Sequence, residues 1–294
     1  MAENKKILVV FGATGIQGGS VAKTILSDPI TSQQFCVRAV TRDPSKPAAV
    51  ALKSLGADLV TADMEDKGSL RLALKDAYAV FAVTNFLEKM DTVAETIQGK
   101  NVADIAKELN VGHLIWSTLP NVTQATNNKL TGVLHFDSKA LVADHIRSLS
   151  IPYTFVQVGT YSGLLLDFLT PLPTGSYGLL WPEPASAKTY LPVIDPSADL
   201  GKFIKGILLN PAKSKGRLFK LAQKLYSLEE IAETLSRLGL DTTFQPLDKN
   251  TFVSGLVSKG FPESFHESMM QVMEFIAEYD LFTHGDIEEG HQCT

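Results

Sequence analysis

Through residue 158, short apolar runs alternate with segments whose apolar side chains recur every three to four positions. The runs at 7–11, 37–41, 58–61, 79–84, 113–117 and 154–158 are short and rich in branched residues, which predicts buried strands. Between them, segments at 20–25, 47–55, 69–75, 92–109 and 138–149 have helical spacing; Val21, Ile25 and Leu26 set the apolar face of the first. Strand and helix in strict alternation predict a parallel sheet wound with helices on both faces. The expected class is therefore α/β, a doubly wound Rossmann-type parallel sheet with six strands by residue 158.

Beyond Gly159 the alternation degrades. The stretch "TPLPTGSYGLLWPEPASAKTYLP" reads as loops and short strands. A helix is marked further on by Ser227 and Glu230 in "SLEE", a capping box followed by the apolar pair Ile231 and Leu235, and a second is expected over 263–279. This divides the chain into a dinucleotide-binding domain at 1–159 and a smaller α/β substrate- or partner-side region at 160–294. Residues of about 190–210 are expected to pack back on the sheet. No internal repeat is visible.

The first strand runs into "FGATGIQGGS", where three glycines are spaced by threes. Each answers a demand of binding a diphosphate: Gly12 permits the tight turn, Gly15 lets the backbone approach the phosphates, and Gly18 lets the next helix pack closely on the strand. The helix start then offers unpaired N–H groups to the anion.

The end of the second strand decides which dinucleotide is held. NAD-type sites place a carboxylate there for the ribose hydroxyls. In "CVRAVTRDPSK" that place is Thr41, then Arg42, with Lys46 one turn on. A guanidinium grips a 2′-phosphate bidentately, so NADP(H) is the expected cofactor. Asp43 begins a "DP" pair and is read as a turn residue, and Arg38 is read as a structural or surface residue on a sheet face. Asp63 is either an adenine contact, with Met64 packing nearby, or a helix N-cap. Thr84, Asn85 and Phe86 end the fourth strand, either where the nicotinamide ribose or the diphosphate would lie or as an ordinary strand exit.

Composition narrows the partners. A chain of 294 residues, 45% hydrophobic, buries a full core, and a net charge of −5 gives no global reason to bind nucleic acid or acidic membranes. The local basic cluster Lys213, Lys215, Arg217, Lys220 and Lys224 is read as solvated loop and strand edge. Cys36 and Cys293 have no metal-ligand spacing and suggest reduced thiols in the cytosol or nucleus. No targeting segment or membrane span is expected. Five of the six histidines fit no metal site and receive no role.

The ordered stretches "VVFGATGIQGGSVA", "RAVTRDPSK", "AVFAVTNF", "HLIWSTLPNV" and "HFDSK" resemble the NmrA-like family of atypical short-chain dehydrogenases, closest to its HSCARG-like NADPH-sensor branch. The resemblance implies an NADP(H) site. Gly12, Thr14, Gly15, Gln17 and Gly18 would wrap the diphosphate, with Ile16 in the same loop. Arg42 and Lys46 would hold the 2′-phosphate, and Lys139 would approach the nicotinamide ribose. It also implies, for several members, a regulatory role in which cofactor occupancy controls a partner protein. The pattern breaks after the sixth strand: in "QVGTYSGLL", Tyr161 survives as a cofactor-side residue, but the acid and amide expected after it do not.

Catalysis turns on "HFDSK". Orthodox short-chain dehydrogenases use a Tyr four residues before a Lys, where the ammonium lowers the phenol's pKa for proton transfer. Here His135 fills the Tyr position and Lys139 the Lys position, with Ser117 or Thr118 where the substrate-orienting hydroxyl would stand. His135 either gives a proton or simply packs at a helix start; Lys139 beside it favours its neutral form. Leu164, Phe168, Tyr177 and Trp181 are read either as the rim of an apolar substrate pocket or as core. Two functions are left open, an NADPH/NADP+ sensor acting on a partner protein and an NADPH-dependent reductase of a small hydrophobic carbonyl, imine or enone.

Overall fold

Up to residue 158 the chain forms β1 (Lys6–Val10), α1 (Ile16–Ser27), α2 (Thr31–Gln34), β2 (Phe35–Thr41), α3 (Pro47–Ser54), β3 (Asp58–Thr61), α4 (Lys67–Leu74), β4 (Ala79–Ala82), α5 (Thr92–Glu108), β5 (Leu114–Thr118), α6 (Val122–Ala125), α7 (Leu134–Ser148) and β6 (Tyr153–Val158). The remainder forms β7 (Thr160–Tyr161), β8 (Leu169–Pro171), β9 (Tyr177–Pro182), β10 (Tyr190–Ile194), α8 (Pro196–Leu209), α9 (Pro211–Ser214), β11 (Leu218–Leu221), β12 (Lys224–Ser227), α10 (Leu228–Arg237), β13 (Thr242–Leu247), α11 (Lys249–Ser258), α12 (Glu263–Tyr279) and α13 (His284–His291). The structure is a computed structural model that describes residues 5–282 and 284–292; Cys293 lies outside the described residues.

Along β1, Leu8 and Val10 join one layer of buried side chains and Val9 joins the opposite one. A strand covered on both faces belongs in the middle of a parallel sheet. The sheet has the order β11-β6-β5-β4-β1-β2-β3, every pair parallel. This is the doubly wound dinucleotide-binding order with a seventh strand added at the edge. Val21 and Ile25 of α1 and Phe203 and Ile204 of α8 cover one face. Leu70 of α4, Val102 of α5 and Val142 of α7 cover the other.

The six strands expected by residue 158 are present, and a seventh, β11, beyond residue 159, pairs with β6. Its four residues alternate between half-buried and buried, a signal too short to separate from a loop. α8 also returns to this body. Gly201 packs so tightly on α1 that a Cβ there would lie 2.1 Å from Thr24 Oγ1, its N–H donates to Ser20 Oγ at 3.0 Å, and Lys205 pairs with Asp28. β11 and α8, both beyond residue 159, thus belong to the layers of the large sheet.

The rest of the later half packs around two small sheets, β12-β10-β7 and β13-β9-β8. The capping box of Ser227 and Glu230 is made on both sides, at 3.0 and 2.7 Å, and starts α10. Three of the five basic-cluster residues are paired locally, Arg217 with Glu289, Lys220 with Asp286 and Lys224 with Glu230. No helix among the described residues is long and apolar enough to cross a membrane.

Candidate functional site

The glycine loop lies where β1 ends at the crevice between β1 and β4, the point where the strand order reverses. Phe11 still donates to the Phe81 carbonyl at 2.9 Å, and then Gly12 turns the chain with φ +61°. A Cβ on Gly12 would also meet Val83 Cγ1 at 3.0 Å. Gly15 N–H bonds the Gly12 carbonyl at 2.9 Å, closing the turn, and α1 begins at Ile16 with no side-chain cap on its first N–H groups. The helix thus starts four residues earlier than its apolar spacing suggests, so Ile16, Gln17 and Gly18 form its first turn. A Cβ on Gly18 would lie 2.4 Å from the Gly12 carbonyl oxygen and 2.5 Å from that of Phe11. Only glycine lets α1 approach β1 this closely.

Thr14, Gly15 and Ile16 face solvent on this loop. Gln17 reaches across the crevice and donates through Nε2 to the Tyr161 hydroxyl at 2.6 Å, while its Oε1 is buried without a partner among the described residues. Burial pushes the Tyr161 phenol pKa up, against the Gln17 hydrogen bond. An uncapped helix start, an open cradle at Gly15 and a partnerless buried amide oxygen fit a ligand rich in phosphate oxygens and hydroxyls.

At the end of β2, Arg42 is 64% exposed and pairs with Glu88. Lys46 is exposed at the start of α3, which has no side-chain cap. Asp43 makes the expected turn: its Oδ1 accepts the Ser45 N–H at 2.9 Å and the Ser45 hydroxyl at 2.5 Å. Arg38 bonds the Ala73 and Lys75 carbonyls at 2.8 and 2.7 Å, so it closes the end of α4. The N-cap reading of Asp63 is corrected. Asp66 caps α4, accepting from Gly68 and Ser69, while the Asp63 carboxylate accepts from Glu65 N–H within its own turn and stays exposed. Met64 is half-buried against the α4/α5 layer.

β4 ends at Ala82, two residues short of expectation, so Thr84 and Asn85 lie in the exit loop and Phe86 opens a 3-10 turn over Phe86–Glu88. Thr84 turns inward and donates to Glu95 Oε1 at 2.8 Å. Glu95, on α5 and only 3% exposed, also accepts from Ser138 Oγ and pairs with Lys139 Nζ. Sequence reasoning missed this residue, because one carboxylate inside a polar helix has no distinguishing local pattern. Asp137 of the same "HFDSK" run proves structural: it accepts from Val122 N–H at 2.6 Å and the Thr123 hydroxyl at 2.5 Å.

α7 starts at Leu134, so His135 and Lys139 are one turn apart on one helix. His135 lies among Phe86, Phe136 and Phe265, with ring centroids 5.5, 4.9 and 6.1 Å away. Ser268 Oγ of α12 stands 3.3 Å from its Nδ1. Burial, then the Lys139 charge, lowers the imidazole pKa to about 4, so it is neutral at physiological pH. Burial lowers the Lys139 pKa too, opposed by Glu95.

The two candidate hydroxyls part company. Thr118 donates to the Lys139 main-chain carbonyl at 3.1 Å and is occupied in holding α7. Ser117 is buried on the opposite face of β5, the face shared by Ile115 with the α1/α8 layer. Of the expected pocket rim, Phe168 and Trp181 stack at 4.2 Å within the core of the later half, and Leu164 is half exposed. Two surface hollows of about 270 and 330 Å³, beside Glu267 and Gln271 and beside Asn210 and Arg217, are lined by none of the candidate residues.

A family model described as the NmrA-like family matches residues 3–293. An NmrA-like family domain-containing oxidoreductase of Aspergillus hancockii, hkm9, is 28% identical over 268 residues, covering 84% of this chain and 77% of that protein. An NmrA-like family domain-containing protein of Dictyostelium discoideum is 30% identical over 248 residues, covering 80% and 78%. Among solved structures, Nmra, a negative transcriptional regulator, superposes in its NAD complex with a TM-score of 0.80 at 21% identity and in its NADP complex with 0.77 at 20%, each covering 99% of this chain and 91% of that one. The Citrobacter sp. triphenylmethane reductase complexed with NADP(H) gives 0.75 at 19% identity, covering 97% and 94%. At these identities the structures establish the fold.

Proposed function

The chain belongs to the NmrA-like family, and from that premise we propose that it binds NADP(H) and serves as an NADPH/NADP+ sensor of the HSCARG-like kind, regulating a partner protein rather than turning over a substrate. The glycine loop and the uncapped start of α1 would hold the diphosphate, and Arg42 with Lys46 the 2′-phosphate. The observation that carries the sensor reading is the state of the His135/Lys139 pair. With a pKa of about 4 the imidazole is protonated in only about one molecule in a thousand at pH 7. The ammonium is bound to Glu95. A proton donor matched to a carbonyl oxygen is missing where a dehydrogenase keeps its Tyr.

His135 also touches Phe265 and Ser268, so the nicotinamide side of the site adjoins α12. A change there on cofactor binding would reach the surface of the later half.

A second reading, an NADPH-dependent reductase of a small hydrophobic carbonyl, imine or enone, is favoured by the burial that makes Lys139 a stronger acid than a free lysine. The fungal relative hkm9, an oxidoreductase, and the Citrobacter triphenylmethane reductase point the same way. In that case a bound nicotinamide would supply the hydride and Lys139 would be the residue that gives the proton.

NADPH oxidation followed by absorbance against aldehydes, quinones, enones and imines separates the two. The sensor reading expects no turnover above background, together with different proteolytic patterns in NADPH and in NADP+. Turnover that disappears in Lys139→Ala while NADPH binding persists would replace it with the reductase.

A further inference from the structure

Glu95 is the one carboxylate described above that three side chains from two separate segments converge on: Thr84 from the β4 exit, and Ser138 and Lys139 from α7. It is not needed to start its own helix, which Asp91 caps through Val93 and Ala94 N–H. A carboxylate this buried is tolerated only with a cation and hydrogen-bond donors around it. The geometry of Lys139 is fixed from the other end as well. Trp116 Nε1 and Thr118 Oγ1 both donate to its main-chain carbonyl at 3.1 Å, which leaves the side chain a defined starting point. The cluster also adjoins the glycine loop, because Thr84 follows Val83, the residue that meets Gly12.

We propose that Glu95 is a positioning residue for the dinucleotide: its carboxylate keeps the Lys139 side chain charged and oriented, with one N–H donor engaged and the others left for the ribose hydroxyls on the nicotinamide side. The proposal rests on the NADP(H) reading above. An ammonium has three donors and no acceptor, so a single fixed acceptor sets its direction without exhausting it. The charged or titratable groups acting on this ammonium are Glu95 from α5 and His135 on its own helix, and His135 is neutral near pH 7. Burial opposes the charge and Glu95 alone supports it. Without that support the amine gives up its proton at lower pH than in the wild type.

The test is the pH profile of NADPH affinity, measured by calorimetry between about pH 7 and about pH 9, where the 2′-phosphate is ionised throughout. Wild type is expected to be flat within about twofold. Glu95→Gln keeps the side chain's shape and its acceptor for Thr84, and is expected to weaken by roughly tenfold across that range. Glu95→Gln with Lys139→Arg should be flat again, because a guanidinium does not deprotonate. A flat single variant, or a slope that survives in the double variant, overturns the proposal. Nitrogen NMR of the Lys139 amine in the wild-type protein gives a reading independent of any variant's folding: a cation at about pH 8 is expected, and a neutral amine there refutes the role. Failure of the wild type to bind NADPH at any pH would sink the cofactor reading itself, a result distinct from a flat Glu95→Gln profile on a protein that binds.

Discussion

Arg42 and Asp43 are neighbours at the end of β2 and do opposite things. Asp43 is consumed by its own turn through Ser45, while Arg42 projects outward and pairs with Glu88. The Asp43 turn was legible, since "DP" is a turn pair, while the proposed role of Arg42 rests on the fit of a guanidinium to a phosphate. Glu88 was not legible, because its meeting with Arg42 spans two strands and a loop. It has a consequence: a 2′-phosphate must take Arg42 from a carboxylate, whereas NADH brings no phosphate to compete. Exposed pairs of this kind contribute about 0–1 kcal/mol. Glu88→Gln should therefore tighten NADPH by up to about fivefold and leave NADH unchanged in a fluorescence titration. Equal tightening of both would show that Glu88 does not act through Arg42. Glu95 was hidden for the same reason as Glu88: its partners are remote in sequence, and the helix pattern around it is ordinary.

At the scale of elements, the glycine spacing gave the β1-turn-α1 unit, but the helix begins one turn earlier than apolar periodicity alone indicates, since glycines carry no hydrophobic signal. The three glycines have separable jobs. A methyl on Gly18 drives into two backbone carbonyls that cannot move aside, and Gly18→Ala should cost about 1–3 kcal/mol or more in thermal unfolding. At Gly15 the nearest atom to a Cβ is the Gly12 carbonyl at 3.3 Å, and the rest of the space is open. Gly15→Ala is expected to keep its melting temperature within a few degrees while losing dinucleotide affinity by about tenfold or more, since the methyl stands where the phosphates approach. A Gly18→Ala protein that melts like wild type would contradict the close packing of α1 on β1. β11 escaped notice because four alternating residues do not outweigh a loop, and its pairing with β6 is a long-range event.

For the whole molecule, alternation of strand and helix was enough for the fold class up to residue 158, and it fails afterwards because the small sheets are built from distant pairs such as β13 with β9. No local period announces such pairing. Two histidines tie the halves to pH. His113, fully buried at the start of β5, and His135, beside α12, both titrate at about 4 rather than 6.5 in the folded protein, chiefly because of burial. The unfolded chain then binds more protons than the folded one between these values, so stability is full above about pH 6.5 and falls as pH drops toward about 4. Each site contributes on the order of 3 kcal/mol at most. Urea unfolding at about pH 7 and about pH 5 should show the loss, and His113→Gln should reduce it; a midpoint unchanged between the two pH values would contradict the buried, neutral state of both rings.

The claim on which the account turns is that the cation beyond β2 selects the phosphorylated dinucleotide. Calorimetric titration of the wild type and of Arg42→Ala with NADPH and with NADH tests it most directly. The account predicts tighter NADPH binding by the wild type, and a loss of about 1.5–3 kcal/mol for NADPH in the variant with little change for NADH. Equal affinities in the wild type, or equal losses in the variant, would contradict it.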